Sequence, residues 1–521
     1  MSRYLIVGDP IVTLANDAYL PDGALIVDGQ TITAVGPRAE LEHAGPFERV
    51  LGSRDHLVMP GFINCHFHSD SAAGPGLFDT IFELNNVQMN AGSGQGTEED
   101  VYTVTQYALM TAIKGGQTAS VNMFYGNGSH ELYGADAALR AYADIGFRGA
   151  FGLVSRDQNR FVHEPDEQFL ARLPADLADE VRASGMGYAK PVNDVFAAFE
   201  ILARGWQDHD DRIRVIVAPD WTPACSDELY RRCRHLADEY ATAITSHVLE
   251  TRAEMLFNLN TYGVPAVERL DRLGVLGPDF SAAHFVWATD RDIQIFADSG
   301  SVASNNPGSN LRLCTGICRT RDILDRGGRV GFGTDNISFS DNEDFFQELR
   351  LAEHLQRLPM QFGVGRLDSE RLLRAAAENG ARAVGFEGRI GALAPGRYAD
   401  LLIMRRDRIF APAGRYQRSP ILDVIVDRAT ASDLESVLIH GQIVLDHGRM
   451  TTVDEDELAA RLTDATARLY TKSPVGDRLW ELGDLVKPTV KQFYQDWYDV
   501  PVEPAYTYNA ASVPTIDSSE S

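Results

Sequence analysis

The sequence predicts an α/β fold, a (β/α)8 TIM-like barrel joined to a small β-sandwich that both ends of the chain build together. Eight short apolar segments alternate with amphipathic segments over about 330 central residues, the pattern of a parallel-stranded barrel with right-handed crossovers. Strand-like segments separated by tight turns flank this region on both sides. Metal-ligand side chains stand at the ends of several apolar segments, where such barrels carry their chemistry.

The β-sandwich is predicted over residues 1–57 and again over residues 386–450. Both regions contain short apolar runs separated by turn signals, such as D-G-Q in the first and H-G-Q in the second. The strands are predicted at Tyr4–Val7, Ile11–Leu14, Ala24–Val27, Ile32–Val35, Asp400–Met404, Ser436–Ile439 and Gln442–Leu445.

The barrel is predicted over residues 58–385. Amphipathic segments such as Asp227–Tyr240 and Glu343–Leu358 separate its strands and have the spacing of helices with one apolar face. The eight strands are predicted at Val58–Ile63, Gln117–Met123, Gly149–Val154, Ile213–Val217, Ala243–Ser246, Ser281–Phe285, Ser301–Ala303 and Val330–Gly333.

Residues 451–521 are predicted to form a C-terminal helix and an extension with a mobile tail. The segments W-E-L-G-D-L-V and K-Q-F-Y-Q-D-W-Y-D are aromatic enough to dock on the same subunit or on a neighbour, and we expect a homo-oligomer, a dimer or larger. The last residues, T-I-D-S-S-E-S, are polar and acidic, which is typical of a mobile terminus.

Composition and charge exclude several kinds of partner. The net charge of −26 disfavours nucleic acid and anionic membrane surfaces. The five cysteines are odd in number and scattered, which favours a reducing compartment over a disulfide framework. Neither a signal peptide nor an apolar run of the ~18 residues that a membrane span needs is found in the sequence. We therefore expect a cytoplasmic protein with a small-molecule substrate.

The most informative motif is His66-Phe67-His68, which ends the first predicted barrel strand. In a strand, side chains two residues apart lie on the same face, so the two imidazoles lie roughly 6–7 Å apart and can share one divalent cation. Three further ligand-type residues end later strands: His247, His284 and Asp335. Three or four nitrogen and oxygen ligands with a position left for water are typical of catalytic zinc sites. Zinc is the expected cation, although Fe²⁺ or another divalent ion also fits such ligands.

These motifs resemble the amidohydrolase superfamily, in particular its branch of hydrolytic deaminases and triazine chlorohydrolases. The resemblance runs from the first strand to about residue 450 and rests on six blocks in the superfamily's order. The blocks are M-P-G-F-I-N-C-H-F-H, H-V-L-E, A-H-F-V-W, N-N-P-G-S-N-L-R-L, G-T-D and G-A-L-A-P-G-R-Y-A-D-L-L-I.

The resemblance implies roles for three residues. Glu250, in H-V-L-E, is expected to carry a proton between the attacking water and the departing group. Asp335 is expected to bind the metal and to accept a proton from the water. His284 is expected either to bind the metal or to hold the water. Binuclear members have a carboxylated lysine at the end of the fourth strand, whereas this strand ends R-V-I-V-A-P-D-W-T-P, so one metal per chain is expected.

Two departures from the superfamily's pattern bear on the substrate. Asn305 stands where many members have a histidine, and the stretch N-A-G-S-G-Q-G-T-E-E lacks the carboxylate with which nucleoside-deaminating members grip ribose. Free heterocyclic bases or small amide- or urea-like compounds are therefore expected to react faster than adenosine. The loop 74–95 is expected to roof the pocket. Arg156 and Arg160 are candidates for substrate contacts, as is Asn305.

Hydrolytic deamination of a nitrogen heterocycle is the favoured function. Hydrolysis of an amide, urea or carbamate C–N bond, or dechlorination of a triazine, would use the same site and stays open. A non-catalytic scaffold is a remote alternative, because the chain keeps every expected ligand together with Glu250.

Overall fold

The computed structural model describes most of the chain. The described residues are 2–15, 17–74, 81–91, 96–126, 130–187, 190–340, 342–357, 365–412, 415–416, 418–471 and 474–498. Within these ranges no helix is both long enough and apolar enough to cross a bilayer. The predicted tail and parts of the predicted pocket roof (75–80 and 92–95) lie outside them.

Eight parallel strands form the barrel, as the sequence predicts. Neighbouring strands pair in chain order, and the first pairs with the eighth. Parallel bridges from Val217 to Ile244 and from Trp221 to His247 close the ring between the fourth and fifth strands. The strands are Phe62–His68, Gln117–Phe124, Arg148–Ser155, Ile213–Val215 with Ala218–Pro219, Ile244–Val248, Phe280–His284, Val302–Asn305, and Arg329–Phe332 with Asp335–Asn336.

Helices follow the strands around the outside of the barrel. The helix predicted at Asp227–Tyr240 is found with these bounds, and its Ser226 side chain accepts a hydrogen bond from the Leu229 amide, which caps the first turn. The outer helices are Glu98–Lys114, Ala135–Ile145, Val192–Trp206, Asp227–Tyr240, Arg252–Tyr262, Ala266–Arg272, Asp290–Ser299, Pro307–Arg312, Thr320–Asp325, Phe345–Leu355, Ser369–Arg374 and Gly380–Ala383.

Two small sheets lie beside the barrel, and one of them joins both ends of the chain. In that sheet His56–Pro60 pairs antiparallel with Leu401–Arg405. The prediction of one barrel strand at Val58–Ile63 is therefore wrong, because the chain leaves the small sheet at Pro60 and enters the barrel at Phe62. The sheets contain Arg3–Gly8, Gly23–Asp28, Thr31–Pro37 and Arg49–Gly52 in one, and Ile11–Val12, Tyr19–Leu20, His56–Pro60, Leu401–Arg405, Leu434–Ile439, Gln442–Asp446 and Arg449–Met450 in the other.

A buried ion pair joins the small domain to the start of the third barrel strand. Nε and Nη2 of Arg148 donate to the two carboxylate oxygens of Asp400 at 2.7 and 3.1 Å. Both side chains are buried, and Asp400 also accepts a hydrogen bond from the backbone amide of His440 at 2.6 Å. Bidentate geometry and these extra hydrogen bonds offset the cost of burying both charges.

Further helices lie near the catalytic end of the barrel, against its outer helices and at the C-terminus. The C-terminal helix docks on its own subunit through Leu482, Val486, Val490 and Tyr494, which repeat every four residues along one buried face. Formation of a homo-oligomer stays a prediction. These helices are Phe82–Ala91, Asp166–Leu170, Ala175–Ser184, Ile421–Arg428, Glu455–Thr466 and Pro474–Tyr498.

Candidate active site

The five residues predicted as metal ligands come together at the C-terminal end of the barrel. His66 and His68 lie on the first strand, His247 on the fifth, and His284 closes the sixth. Asp335 begins the short segment that continues the eighth strand. Two triads within the cluster have their ligand atoms within 4.8 Å of one another: His66, His68 and His247, and His66, His284 and Asp335.

Asp335 lies at the centre of this cluster. Its Oδ1 atom lies 3.2 Å from Nε2 of His66 and 3.3 Å from Nε2 of His68. Its Oδ2 atom lies 3.9 Å from Nε2 of His284 and accepts a hydrogen bond from the Ser309 hydroxyl at 2.5 Å. One small cation placed among these atoms would be within reach of the carboxylate and of several imidazoles.

Backbone carbonyls fix the orientation of two of the imidazoles. Nδ1 of His68 donates to the carbonyl of Met123 at 2.6 Å, and Nδ1 of His247 donates to the carbonyl of Asp220 at 2.9 Å. Each bond places the ring hydrogen on Nδ1, so the lone pair is on Nε2. Partners of this kind orient metal-binding histidines in general.

His284 is oriented by the helix that follows the seventh strand. Its Nδ1 lies 2.9 Å from Oδ1 of Asn310, a hydrogen-bond acceptor, and 3.2 Å from the amide nitrogen of Asn306. Gly308, on the same helix, donates its amide to the buried carboxyl of Glu348 at 2.8 Å. The helix Pro307–Arg312 therefore supports both His284 and, through Ser309, Asp335.

Several properties of these residues fit a bound cation. Nδ1 of His66 is buried without a hydrogen-bond partner, and its Nε2 makes no well-directed hydrogen bond although Oδ1 of Asp335 lies 3.2 Å away, an arrangement that costs free energy unless another group binds the ring. Burial lowers the pKa of His66 well below its ordinary value and that of His284 to about 4, which keeps both imidazoles neutral, as ligands must be. Burial alone would raise the pKa of Asp335, but the neighbouring His66 and His68 lower it well below its ordinary value.

Glu250 lies beside the cluster, in the turn between the fifth strand and the next helix. Its side chain is buried, and Oε1 lies 3.7 Å from Nε2 of His284. Burial, reinforced by the carboxylates of Asp335 and Glu254, raises the pKa of Glu250 well above its ordinary value. Its backbone amide donates to Glu254 Oε2 at 2.8 Å, and Thr251 caps the helix that follows. A raised pKa of this kind suits a carboxyl to give a proton as well as to accept one.

Four residues of this region adopt the left-handed backbone conformation, which L-residues rarely do. The φ angles are 57° at Leu249, 72° at His284, 51° at Phe285 and 63° at Asp335. Each such residue costs about 1–2 kcal/mol. Strain at these positions turns the chain sharply where the strands end, and it clusters where the ligand-type side chains lie.

The three residues predicted to contact the substrate form ion pairs or hydrogen bonds within the protein. Arg156 lies beside the cluster, with Nη1 3.7 Å from Oδ2 of Asp220. Arg160 lies on Asp166, to which both its side chain and its backbone amide donate. Asn305 donates to Thr320 at 3.0 Å.

Asn305 also accepts a bond from Asn310 at 3.4 Å, and so supports the residue that orients His284. Substrate contacts by Arg156, Arg160 and Asn305 stay predictions.

Sequence reasoning missed several residues around the cluster. Asp220 orients His247 through its carbonyl, and its carboxylate accepts the hydroxyl of Tyr125 at 2.9 Å. Asn306 and Asn310 were visible in the motif N-N-P-G-S-N, where two more amides beside Asn305 are a signal for polar support. The hydrogen bond from His247 to Asp220 uses a backbone carbonyl, which every residue has, so the residue type at position 220 does not predict it.

The fold and this cluster together define a metal-dependent hydrolase of the barrel type. The chain belongs to the amidohydrolase family, whose family model matches residues 57–444. The resemblance expected from the sequence is thereby confirmed.

Curated relatives match over nearly their whole length. A protein of Syntrophobacter fumaroxidans named as a 5-methylthioadenosine/S-adenosylhomocysteine deaminase is 29% identical over 88% of this chain and 96% of the relative. A 5'-deoxyadenosine deaminase of Methanosarcina mazei is 27% identical over 91% of this chain and 99% of the relative.

Solved structures show the same fold. An adenosine deaminase from Xanthomonas campestris with bound zinc has a TM-score of 0.77 and 25% identity, covering 90% of this chain and 98% of that one. An atrazine chlorohydrolase from Arthrobacter aurescens, complexed with zinc, has a TM-score of 0.76 at 22% identity, covering 89% and 100%. The (β/α)8 barrel with an added small domain is confirmed.

Proposed function

We propose that this protein hydrolyses the bond between a ring carbon and an amino group of a nitrogen heterocycle and releases ammonia, with Glu250 transferring the proton. The metal-type cluster is the set of five predicted ligands, His66, His68, His247, His284 and Asp335. The observation that carries the proposal is the buried carboxyl of Glu250 beside this cluster, with its Oε1 atom 3.7 Å from Nε2 of His284. Relatives named as deaminases support the same reaction.

His66, His68, His247 and Asp335 would hold one divalent cation, with His284 as a further ligand or as the residue that holds the attacking water. Zinc is the proposed ion, because related structures contain it. A divalent cation here would polarise the water and lower its pKa from ~15.7 towards 7.

The protein's own groups carry the remaining steps. Asp335 accepts a proton from the attacking water, since its carboxylate stays ionised among the histidines. Glu250 donates its proton to the ring nitrogen. Its carboxylate then takes the second proton of the water from the hydroxyl on the reacting carbon and passes it to the amino group, which leaves as ammonia, and the proton held by Asp335 returns to Glu250. His284, held through Nδ1 by Asn310, presents Nε2 to the same space and orients the water.

The proposed reacting unit is an aminopurine ring. The names of the curated relatives support adenine derivatives. The sequence around residues 90–95, which lacks a ribose-gripping carboxylate, supports a free base instead, and its residues 92–95 lie outside the described part of the chain. Both observations agree on the ring and differ on its substituent.

An ammonia-release screen of the metal-loaded enzyme tests the proposal. The panel contains adenine, adenosine, 5'-deoxyadenosine, guanine, a pterin, melamine, a chlorotriazine and an aryl amide. We expect ammonia from at least one aminopurine, and kcat/KM ranks the free base against the nucleosides. Chloride or amine release, with no ammonia from any aminated ring, would contradict deamination and favour the alternative reactions.

A further inference from the structure

A cavity of about 410 Å³ lies beside the metal-type cluster, at the catalytic end of the barrel. Thr251 and Trp287 form part of its wall; Thr251 directly follows Glu250, and Trp287 lies three residues after His284. Other parts of the wall come from the start of helix Phe82–Ala91 and from the C-terminal helix. The volume is suited to a small organic molecule.

The C-terminal helix Pro474–Tyr498 makes this wall from a segment beyond residue 444, where the family match ends. The helix is fixed by its buried apolar face, and Arg252 adds a hydrogen bond of 2.8 Å to the carbonyl of Trp497. Tyr494 and Tyr498 belong to both the docked helix and the cavity wall. This chain therefore shapes the cavity with residues that the family match does not include.

Glu83 is the buried carboxyl of the cavity wall. The Tyr498 hydroxyl donates to its Oε1, and the Thr251 side chain also hydrogen-bonds to it. Burial raises the pKa of Glu83. Whether ionised or protonated, its carboxyl has more acceptor positions than these two bonds use, which leaves capacity for a donor in the cavity. The rings of Phe82 and Trp287 line the same space and offer apolar surface.

We propose that Glu83, held by Tyr498, binds a hydrogen-bond donor on the part of the substrate remote from the reacting carbon. The donor is a hydroxyl or an ammonium group carried on an apolar ring or chain that packs against Phe82 and Trp287. An anionic group is disfavoured, because it brings no donor to the Glu83 carboxyl oxygens and an ionised Glu83 would repel it. The inference rests on the proposed function only in placing the reacting carbon at the metal-type cluster.

Cys314 provides a reporter that does not depend on turnover. It lines the cavity and is exposed, whereas the other four cysteines are buried. The rate at which N-ethylmaleimide labels Cys314 in the full-length, metal-loaded protein therefore reports occupancy of the cavity. A Cys314→Ser variant gives the background.

The probes are benzyl alcohol, benzylamine, anisole and benzoate. Anisole has the same atoms as benzyl alcohol but no donor, and benzoate carries an anion instead. We expect benzyl alcohol and benzylamine to protect Cys314 at concentrations roughly tenfold lower than anisole, as for one hydrogen bond to a charged group. In Glu83→Leu this preference should vanish. Leu485→Ala, on the exposed face of the same helix, should leave it unchanged.

Two results would overturn the proposal: equal protection by anisole and benzyl alcohol in the wild type, or a donor preference that survives in Glu83→Leu. Stronger protection by benzoate would indicate that Lys491, which also lines the cavity, binds the probe, and would contradict the proposal as well. If Glu83→Leu does not fold, Glu83→Gln serves instead and should lose the advantage of benzylamine selectively. A failure of ammonia release would refute the deaminase proposal without changing these labelling results.

Discussion

Oε1 of Glu250 lies 3.7 Å from Nε2 of His284, and both side chains are buried. The residue proposed to transfer the proton and the residue proposed to orient the water therefore lie side by side where the five predicted metal ligands converge. Burial acts on them in opposite directions, since it raises the pKa of Glu250 and lowers that of His284. Burial therefore favours a proton on the carboxyl of Glu250 and disfavours one on the imidazole of His284.

Metal content is the first expected outcome. Purified protein should contain close to one divalent ion per chain by elemental analysis, because the triads of the cluster share His66 and define one centre within the described residues. A chelator should abolish activity, and zinc or iron should restore it. Two tightly bound ions per chain, or full activity without metal, would contradict the mononuclear site.

Asn310 is expected to act as a positioning residue through His284. Asn310→Leu removes the acceptor for Nδ1 and should reduce kcat/KM by roughly 10–100-fold, the usual effect of losing a group that orients a metal-site histidine. Asn310→Asp keeps an acceptor oxygen at this position and should retain more of the activity. Equal losses in both variants would point to packing rather than to orientation of the imidazole.

Much of this site was predictable because its ligands obey local geometry. His66 and His68 share a face because strands have a period of two residues, and parallel strands in a barrel end at one side. The support around them depends on long-range contacts. Glu83 and Tyr498 meet across 415 residues, which depends on how the C-terminal helix crosses the barrel.

The prediction of strand boundaries was wrong where one apolar run contributes to two domains. The run from Val58 to Ile63 contains no polar residue, and the one break within it is the pair Pro60-Gly61, a turn signal that falls where the small sheet ends and the barrel begins. A Cβ at Gly61 would lie 2.2 Å from the Thr118 side chain, so this close crossing favours glycine.

Glu348 should make stability depend on pH. Burial raises its pKa from 4.5 to about 8 in the folded protein. Between these values the folded state binds more protons than the unfolded state, so this group lowers the free energy of unfolding as the pH rises. Relative to Glu348→Gln, which keeps an acceptor for the Gly308 amide, the wild type should lose stability between about pH 5 and 8. A difference that is constant with pH in urea denaturation would contradict this.

Arg148 should stabilise the junction between the domains without affecting the metal site. Arg148→Met leaves Asp400 buried without its cation and should cost about 3–5 kcal/mol in the free energy of unfolding. Metal content should be unchanged, because Arg148 begins its strand at the opposite end of the barrel. Arg140→Met, at an exposed arginine, is the matched control. Equal stability of the two variants would refute the structural role.

The most direct measurement is the rate of ammonia release by Glu250→Gln, with its metal content determined on the same sample. The variant should keep the fold and close to one ion per chain, while turnover falls by at least roughly 10²-fold, the scale of losing an acid–base group. Glu239→Gln, at an exposed position, should match the wild type. A metal-loaded Glu250→Gln enzyme with near-normal turnover would contradict the proton-transfer role on which the proposed reaction depends.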